Sequence, residues 1–192
     1  MGGGIVQDSW WRYYTVRPEK FDKMVISVDL TFADRGDFCA FQVWGRTGAS
    51  FYLLHQVHGR MLFTQQCRVI EGLHQQFPQA RSILIERAAN AEAAIDTLKS
   101  RVPGLLPQRP DGSKEARLES VAHLIEAGNV YLPDPAQAPW VKEVVAEFST
   151  MPSGAHDDMV DAAVYALRHL DKRKSFDNVA LPWSQSKQSQ WL

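Results

Sequence analysis

The sequence is short of several features that would assign a protein class at once. Its 192 residues include only two cysteines, Cys39 and Cys67, and their spacing matches no metal-binding motif. Both lie in apolar-rich segments, so we expect reduced thiols in a cytosol. No apolar run approaches the ~20 residues of a membrane span, and the start lacks the charged and apolar regions of a signal peptide. We therefore expect a soluble, intracellular protein with no membrane partner.

An excess of one charge is also lacking. The formal net charge is −1, from 21 Lys and Arg against 22 Asp and Glu, so no global basic field points to nucleic acid. Any contact with DNA must come from local basic patches. The sequence has no internal repeat and no low-complexity tract. Its length and its hydrophobic content of 45% suffice for one domain with its own core.

The apolar pattern that is present predicts an α/β fold. Two segments, 24–30 and 81–86, have apolar residues on both faces, as buried strands do. Segments 38–44 and 51–57 flank a glycine turn and predict an antiparallel pair. Short extended segments are predicted at 105–106 and 130–132, and helices at 61–76, 89–101, 114–127, 138–148 and 156–170. A meander followed by alternating strands and helices predicts a mixed β-sheet flanked by helices on both faces.

The two ends of the chain differ from this central part. Residues 1–22 are rich in aromatic side chains but show no clear helical or strand period, and we expect this lead-in to pack on a neighbouring surface. Residues 23–171 form the predicted domain. Residues 172–192 are polar apart from Trp183 and Trp191, and are expected to form a loosely held tail.

Acidic residues stand at the ends of both predicted buried strands. Asp29 ends the run Met24–Val28, and Glu86 ends the run Ile83–Ile85. Asp is unfavourable in strands, and a carboxylate at the end of a buried run costs desolvation unless it is paired or metal-bound. The simpler explanations are that Asp29 begins a turn and that Glu86 pairs with Arg87 or another cation.

A third acidic group opens the last predicted helix. With 3.6 residues per turn, Asp157, Asp158 and Asp161 share a sector about 100° wide, opposite a face of small and apolar residues. The simpler explanation is that Asp157 and Asp158 favour the positive N-terminus of the helix. The preceding His156 is a surface histidine, a partner outside the ligand set, or a proton carrier.

If the fold brings these three groups together, they form an oxygen-only site for a hard cation such as Mg²⁺ or Mn²⁺. Carboxylates within a few ångströms raise one another's pKa values, and metal ions remove that repulsion. Two ions about 3.5–4 Å apart can activate a water and stabilise the leaving oxygen of a phosphodiester. The acidic pattern therefore indicates metal-assisted phosphodiester hydrolysis.

Basic residues suggest where DNA phosphates would bind. Lys114 and Arg117 lie one turn apart near a helix start and can grip one strand, and Arg87 follows the second acidic strand. A basic patch follows the acidic helix: Arg168, Lys172, Arg173 and Lys174. The simpler explanation of that patch is favourable charge at a helix C-terminus and a solvated tail. Nothing indicates base readout, so we expect weak, salt-sensitive and largely sequence-nonspecific DNA binding.

Several stretches resemble the nuclease domain of the large terminase subunit of tailed bacteriophages, which has a ribonuclease H-like fold. They are Val25–Asp29, Leu84–Glu86, Lys114–Arg117, Gly128–Pro133 and His156–Ala162. The lead-in is similar to the segment that joins motor and nuclease in that family. The string His-Asp-Asp-Met-Val-Asp-Ala is the most specific part of the resemblance.

The resemblance implies an endonuclease that cuts concatemeric double-stranded viral DNA at the start and end of genome packaging. It implies Asp29, Glu86 and Asp158 as catalytic metal ligands, for two ions of Mg²⁺ or Mn²⁺. Asp161 would be a fourth ligand, and members differ in whether the residue at Asp157 reaches the metal. The implied partners are an ATPase motor domain, a small terminase subunit and a portal, in the host cell cytoplasm and not in the mature virion. Because the sequence has no G-x-x-x-x-G-K-[ST] loop, we expect a nuclease fragment that does not hydrolyse ATP.

Two other functions fit the same acids. Another ribonuclease H-like enzyme, such as a junction resolvase, a recombinase or a nuclease of RNA–DNA hybrids, shares carboxylates on two strands and a helix. A non-catalytic domain docked on motor or portal would use the aromatic lead-in, because exposed aromatics mark interfaces. Its acids would then be helix caps and salt bridges. The segments Lys114–Arg117 and Gly128–Pro133 favour the terminase.

Overall fold

The chain was analysed as a computed structural model that describes residues 4–31, 38–86, 89–154 and 156–172. The strands are β1 (Arg12–Tyr14), β2 (Lys23–Asp29), β3 (Cys39–Thr47), β4 (Ser50–Gly59), β5 (Ser82–Glu86), β6 (Leu105–Gln108) and β7 (Val130–Pro133). The helices are α1 (Phe63–Gln76), α2 (Ala89–Leu98), α3 (Lys114–Glu126), α4 (Val141–Thr150) and α5 (Asp158–Asp171), and a 3-10 turn, Asp8–Trp10, precedes β1. Within the described part of the chain, no helix is both long enough and apolar enough to cross a membrane.

The strands form one mixed sheet in the order β1-β7-β4-β3-β2-β5-β6. The central meander β2-β3-β4 is antiparallel, whereas β5, β6, β7 and β1 each join a neighbour in parallel. This arrangement confirms the predicted α/β fold with a mixed sheet. The sites of such sheets lie where parallel strands end, and β2 and β5 provide two such ends side by side.

The sheet separates two hydrophobic layers. Successive side chains of a strand point to opposite faces, so Val25 of β2 joins the layer formed with α3, α4 and α5, while Ile26 joins the layer formed with α1 and α2. Helices therefore cover both faces, as predicted. The α5 helix is buried on most of its circumference because it packs between the sheet and helices α3 and α4.

Helix boundaries follow local capping chemistry. Ser113 accepts a hydrogen bond from the Ala116 amide at 3.2 Å and begins α3, and Gly128, with φ of 73°, ends it, as the sequence predicted. The predicted helix from residue 138 begins later, at Val141. The Asp134 carboxylate accepts the Ala136 amide at 2.8 Å and holds the preceding segment in turns, which local side-chain bonds favour over helix.

The lead-in packs on this domain and adds an edge strand that the sequence did not predict. Arg12 to Tyr14 pair in parallel with Tyr131 to Pro133. Trp11 is 5% exposed and meets Phe148 edge-to-face, with ring centroids 5.0 Å apart. A strand of three residues is too short to show a period, so no pattern could reveal it. A connection from this segment to another domain stays a prediction, and the tail with Trp183 and Trp191 lies outside the described residues.

Candidate metal centre

Strand register brings two of the predicted acids together. Asp29 and Glu86 are the last residues of β2 and β5, which pair in parallel with Val28 opposite Ile85. The residues that follow this pair are therefore neighbours at the same edge of the sheet. Because side chains alternate, Asp29 lies on the face of Val25 and Glu86 on the face of Leu84, and both of those residues pack in the layer with α5.

The third carboxylate comes from the first turn of α5. Among the described residues, ligand oxygens of Asp29, Glu86 and Asp161 lie within 4.8 Å of one another. Asp161 is 3% exposed. Asp158, predicted as the third principal ligand, lines the same cavity but does not belong to this close group. Three residues further along the helix, Asp161 lies almost one turn deeper, which places it at the strand ends while Asp158 stays at the helix start.

These acids line a cavity of about 380 Å³. Its walls are Asp29, Leu30, Thr31, Phe38, Glu86, Lys114, His156, Asp157, Asp158 and Asp161. The two predicted helix acids and His156 thus face the same space as the close group. A larger cavity of about 510 Å³ lies elsewhere, between the lead-in and the end of α1, and has Glu19 as its only carboxylate. The smaller cavity therefore holds the chemistry that the sequence predicts.

A buried polar network fixes the start of α5 on the sheet. The amide of Gln42 donates to Gln56 Oε1 at 2.7 Å and to the Met159 carbonyl at 3.1 Å. The Trp44 indole donates to Gln42 Oε1 at 2.9 Å. Because buried amides must find partners, this network gives the residues around Asp161 one preferred position.

Two cations hold Asp161 from opposite sides. Arg117 Nη2 donates to Asp161 Oδ1 at 3.0 Å, and both side chains are almost fully buried. Lys114 Nζ lies 3.3 Å from Asp161 Oδ2 and also contacts Asp157. The structure places both predicted phosphate contacts inside the acidic site. Arg117 is 5% exposed, so its position is that of an internal partner of Asp161 and does not suit a surface grip on DNA.

The carboxylates repel one another more than these cations compensate. Burial raises the pKa of Asp29 well above its usual value, and the negative charges of Glu86 and Asp161 raise it further. Burial, followed by the charge of Asp161, raises the pKa of Glu86. Burial also raises the pKa of Asp158. Oxygen donors left with uncompensated negative charge fit a hard divalent cation.

Sequence analysis missed Glu147 of α4. Its carboxylate is 7% exposed and accepts the Val160 amide of α5 at 2.9 Å, which satisfies one open donor at that helix start. Burial raises the pKa of Glu147 to about 7. The available signal was its position between Val144 and Phe148, on the apolar face of α4.

The remaining predicted residues lie apart from the close group. Arg168 makes a two-bond pair with Asp111, at 2.5 and 2.7 Å, and this pair lowers the pKa of Asp111 to about 2. Lys172 is exposed and, with Arg168, lines a separate cavity of about 120 Å³. His156 is exposed on the cavity wall, with its ring edge-on to Phe38. Arg87, Arg173 and Lys174 lie outside the described residues.

Comparisons with known proteins agree with this geometry. A family model described as the terminase RNaseH-like domain matches residues 26–170. The large terminase nuclease of thermophilic phage G20c with bound zinc is similar, with a TM-score of 0.65 at 16% identity, over 86% of this chain and 95% of that one. The Thermus phage P74-26 large terminase nuclease domain gives a TM-score of 0.59 at 16% identity, over 82% and 90%.

A third similar structure is larger than this chain. It is a large terminase from another thermophilic bacteriophage, with a TM-score of 0.68 at 12% identity, and 86% of this chain covers 43% of that one. The chain thus spans less than half the length of that protein. Comparison with the sequences of curated proteins gives no match. At these identities the structural likeness shows the fold, and the matched family model spans most of the sequence.

Proposed function

The chain belongs to the terminase RNaseH-like domain family, and from that premise we propose that it is a metal-dependent endonuclease domain that hydrolyses DNA phosphodiester bonds. The observation that carries this proposal is the group of Asp29, Glu86 and Asp161, whose ligand oxygens lie within 4.8 Å of one another. The group stands in an open cavity at the ends of two strands, where a substrate can reach it.

The donor set supports a divalent cation as cofactor. All candidate ligands are carboxylate oxygens, which suit Mg²⁺ or Mn²⁺, and histidine and cysteine donors are absent from the close group. The G20c nuclease has been solved with bound magnesium and with bound zinc. We propose Asp29, Glu86 and Asp161 as ligands of one ion, with Asp158 at the cavity wall contributing to a second. Bound ions would supply an activated water and charge stabilisation of the leaving oxygen.

The chain's own residues prepare this site. Arg117 fixes the orientation of Asp161 through a buried contact, and Gln42 fixes the backbone beside it. Lys114 is half-exposed and contacts Asp161 through its flexible ammonium group, so it can withdraw when a metal ion occupies the carboxylates. Asp157 is held by Lys114, and in our proposal this contact keeps it out of the ligand set.

The substrate and setting follow from the family. We propose double-stranded DNA, cut with little sequence preference, and action beside an ATPase motor domain, a small terminase subunit and a portal in the host cell cytoplasm. The net charge of −1 supports weak binding to DNA by this domain alone. A linked motor that already holds DNA would raise the local concentration of the duplex at the nuclease.

The test is cleavage of supercoiled plasmid with Mn²⁺, Mg²⁺ or EDTA, using the unaltered chain, Asp29→Asn and the control Asp96→Asn. Asp96 is exposed and pairs with Lys99 on α2, so its substitution leaves the cavity unchanged. We expect metal-dependent nicking by the unaltered chain and the control, and none by Asp29→Asn. Equal activity of all three proteins, or none from a folded chain that binds Mn²⁺, would contradict the proposal. Junction and RNA–DNA hybrid substrates in parallel separate a terminase-type nuclease from a resolvase or hybrid nuclease.

A further inference from the structure

A group of aromatic and basic side chains stands beside the acidic cavity and has no part in the metal centre. We call it the Arg60 rim: Phe38, His58, Arg60 and His156. Phe38 and His156 line the cavity itself. The Phe38 ring stacks on His58 with centroids 4.8 Å apart and receives the edge of His156 at 4.9 Å. The Arg60 guanidinium lies over Phe38, 4.8 Å from its centroid.

The charge of Arg60 is placed differently from the other cations near the acids. Arg117 and Lys114 contact Asp161, and Arg168 is held by Asp111. Arg60 is exposed, and no ion pair joins it to a carboxylate of the described residues. A guanidinium over an aromatic face is held flat by the ring while the N–H groups at its edge stay available. It therefore offers a fixed donor set to an anion from solvent.

The rim also fits the needs of an acidic active site. A cavity lined by five carboxylates repels the phosphates of a duplex, and metal ions offset that repulsion only at the acids themselves. A fixed cation beside the cavity would hold a neighbouring phosphate, because each strand carries a charge about every 3.4 Å along the duplex axis. The Arg60 rim is the cationic feature of the described cavity wall that Asp161 does not already engage.

We propose that the Arg60 rim is a phosphate-binding subsite for the DNA strand that enters the cavity, with Arg60 as the phosphate contact and Phe38 as its support. This inference rests on the proposed nuclease function for its substrate. Arg60 makes the same contact before and after reaction of the scissile phosphate, so it contributes uniform binding. A loss of this contact should raise KM and leave kcat nearly unchanged.

The test compares Arg60→Gln with Arg81→Gln, which removes the same charge. Arg81 is exposed and precedes β5, at the opposite end of that strand from Glu86. A fluorescein-labelled duplex of about 30 base pairs is titrated by anisotropy with Ca²⁺ in place of the catalytic ion, over a salt series. We expect Arg60→Gln to weaken binding about three- to tenfold at low salt and to reduce the salt slope by about 1. Arg81→Gln should change neither quantity.

Two further measurements make the interpretation specific. The shift of melting temperature with Mn²⁺ should be the same in Arg60→Gln and the unaltered chain, because the metal ligands are untouched. Phe38→Leu keeps an apolar cavity wall but removes the ring beneath the guanidinium, so it should weaken duplex binding at least twofold. An unchanged affinity in Phe38→Leu overturns the supporting role of the ring.

The outcomes separate this proposal from the nuclease function. If the unaltered chain cuts DNA and Arg60→Gln matches Arg81→Gln in affinity, salt slope and KM, the subsite is wrong and the nuclease stands. If the unaltered chain cuts no DNA but Arg60→Gln still lowers affinity and salt slope, the nuclease fails and the phosphate contact stands. A lost Mn²⁺ shift in Arg60→Gln would place its effect in the metal centre and overturn the subsite.

Discussion

Replacing Asp29 with asparagine removes one of three carboxylates whose oxygens lie within 4.8 Å of one another. At an effective dielectric constant of about 20, two unit charges at that separation repel by about 3.5 kcal/mol. Asp29 has two such neighbours, and the cations Lys114 and Arg117 offset part of the repulsion. We expect a net gain of about 1–3 kcal/mol for Asp29→Asn without metal, or a melting temperature about 2–12 °C higher.

The gain should depend on pH in a defined direction. Burial and the neighbouring acids raise the pKa of Asp29 in the folded state, so the folded chain binds a proton more tightly than the unfolded chain. Stability of the unaltered chain therefore falls as the pH rises from the unfolded pKa, about 3.9, through the raised folded pKa. The advantage of Asp29→Asn should be full above the folded pKa and absent below the unfolded one.

The assay is thermal unfolding in EDTA at several pH values, with Asp96→Asn as the control. Asp96 makes an exposed pair with Lys99, so its loss should change the melting temperature little. Excess Mn²⁺ should stabilise the unaltered chain more than Asp29→Asn, because the variant lacks one ligand. A melting temperature of Asp29→Asn at or below that of the unaltered chain in EDTA at about pH 8, with an unchanged control, would refute the repulsion argument.

Three further predictions follow from the same contacts. Arg117→Met leaves the buried Asp161 without its partner, so we expect about 3–5 kcal/mol of lost stability in urea unfolding; a loss below about 1 kcal/mol would contradict the buried pair. Lys114→Met removes the ammonium that competes with metal at Asp161, so its Mn²⁺-induced rise in melting temperature should exceed that of the unaltered chain; an equal or smaller rise would show no competition. Trp11→Ala should cost about 3–5 kcal/mol, because its ring packs on Phe148 in the core; a cost near zero in chemical unfolding would show that the lead-in is not part of the domain.

Much of the fold was predictable from the sequence because its strands are buried on both faces. Runs such as Val25–Val28 and Ile83–Ile85 are continuous in apolar residues, and caps such as Ser113 define helix starts. The assignment to the terminase RNaseH-like family, suggested by the acidic motifs, is confirmed. The edge strand Arg12–Tyr14 could not be predicted, since its partner β7 is remote in sequence and three residues carry no period.

The site was predictable in part. Strand-end position is visible in sequence, so Asp29 and Glu86 were identified correctly as neighbours in space. Helical spacing places Asp157, Asp158 and Asp161 on one sector but not at a given depth, and only packing of α5 on the sheet makes Asp161 the buried member. The pairing of Arg117 with Asp161 joins two helices, which local sequence patterns do not encode.

The burial of α5 also sets the order in which the protein can acquire its site. Gln42 bonds to Met159 across 117 residues, and Lys23 bonds to the His169 carbonyl across 146. Such non-local contacts slow folding because the intervening chain must lose its freedom before the contact forms. During synthesis, Asp29 and Glu86 can pair as strand ends long before Asp161 exists. The third ligand therefore arrives only when the last helix docks, and a partly made chain cannot carry the three-carboxylate centre.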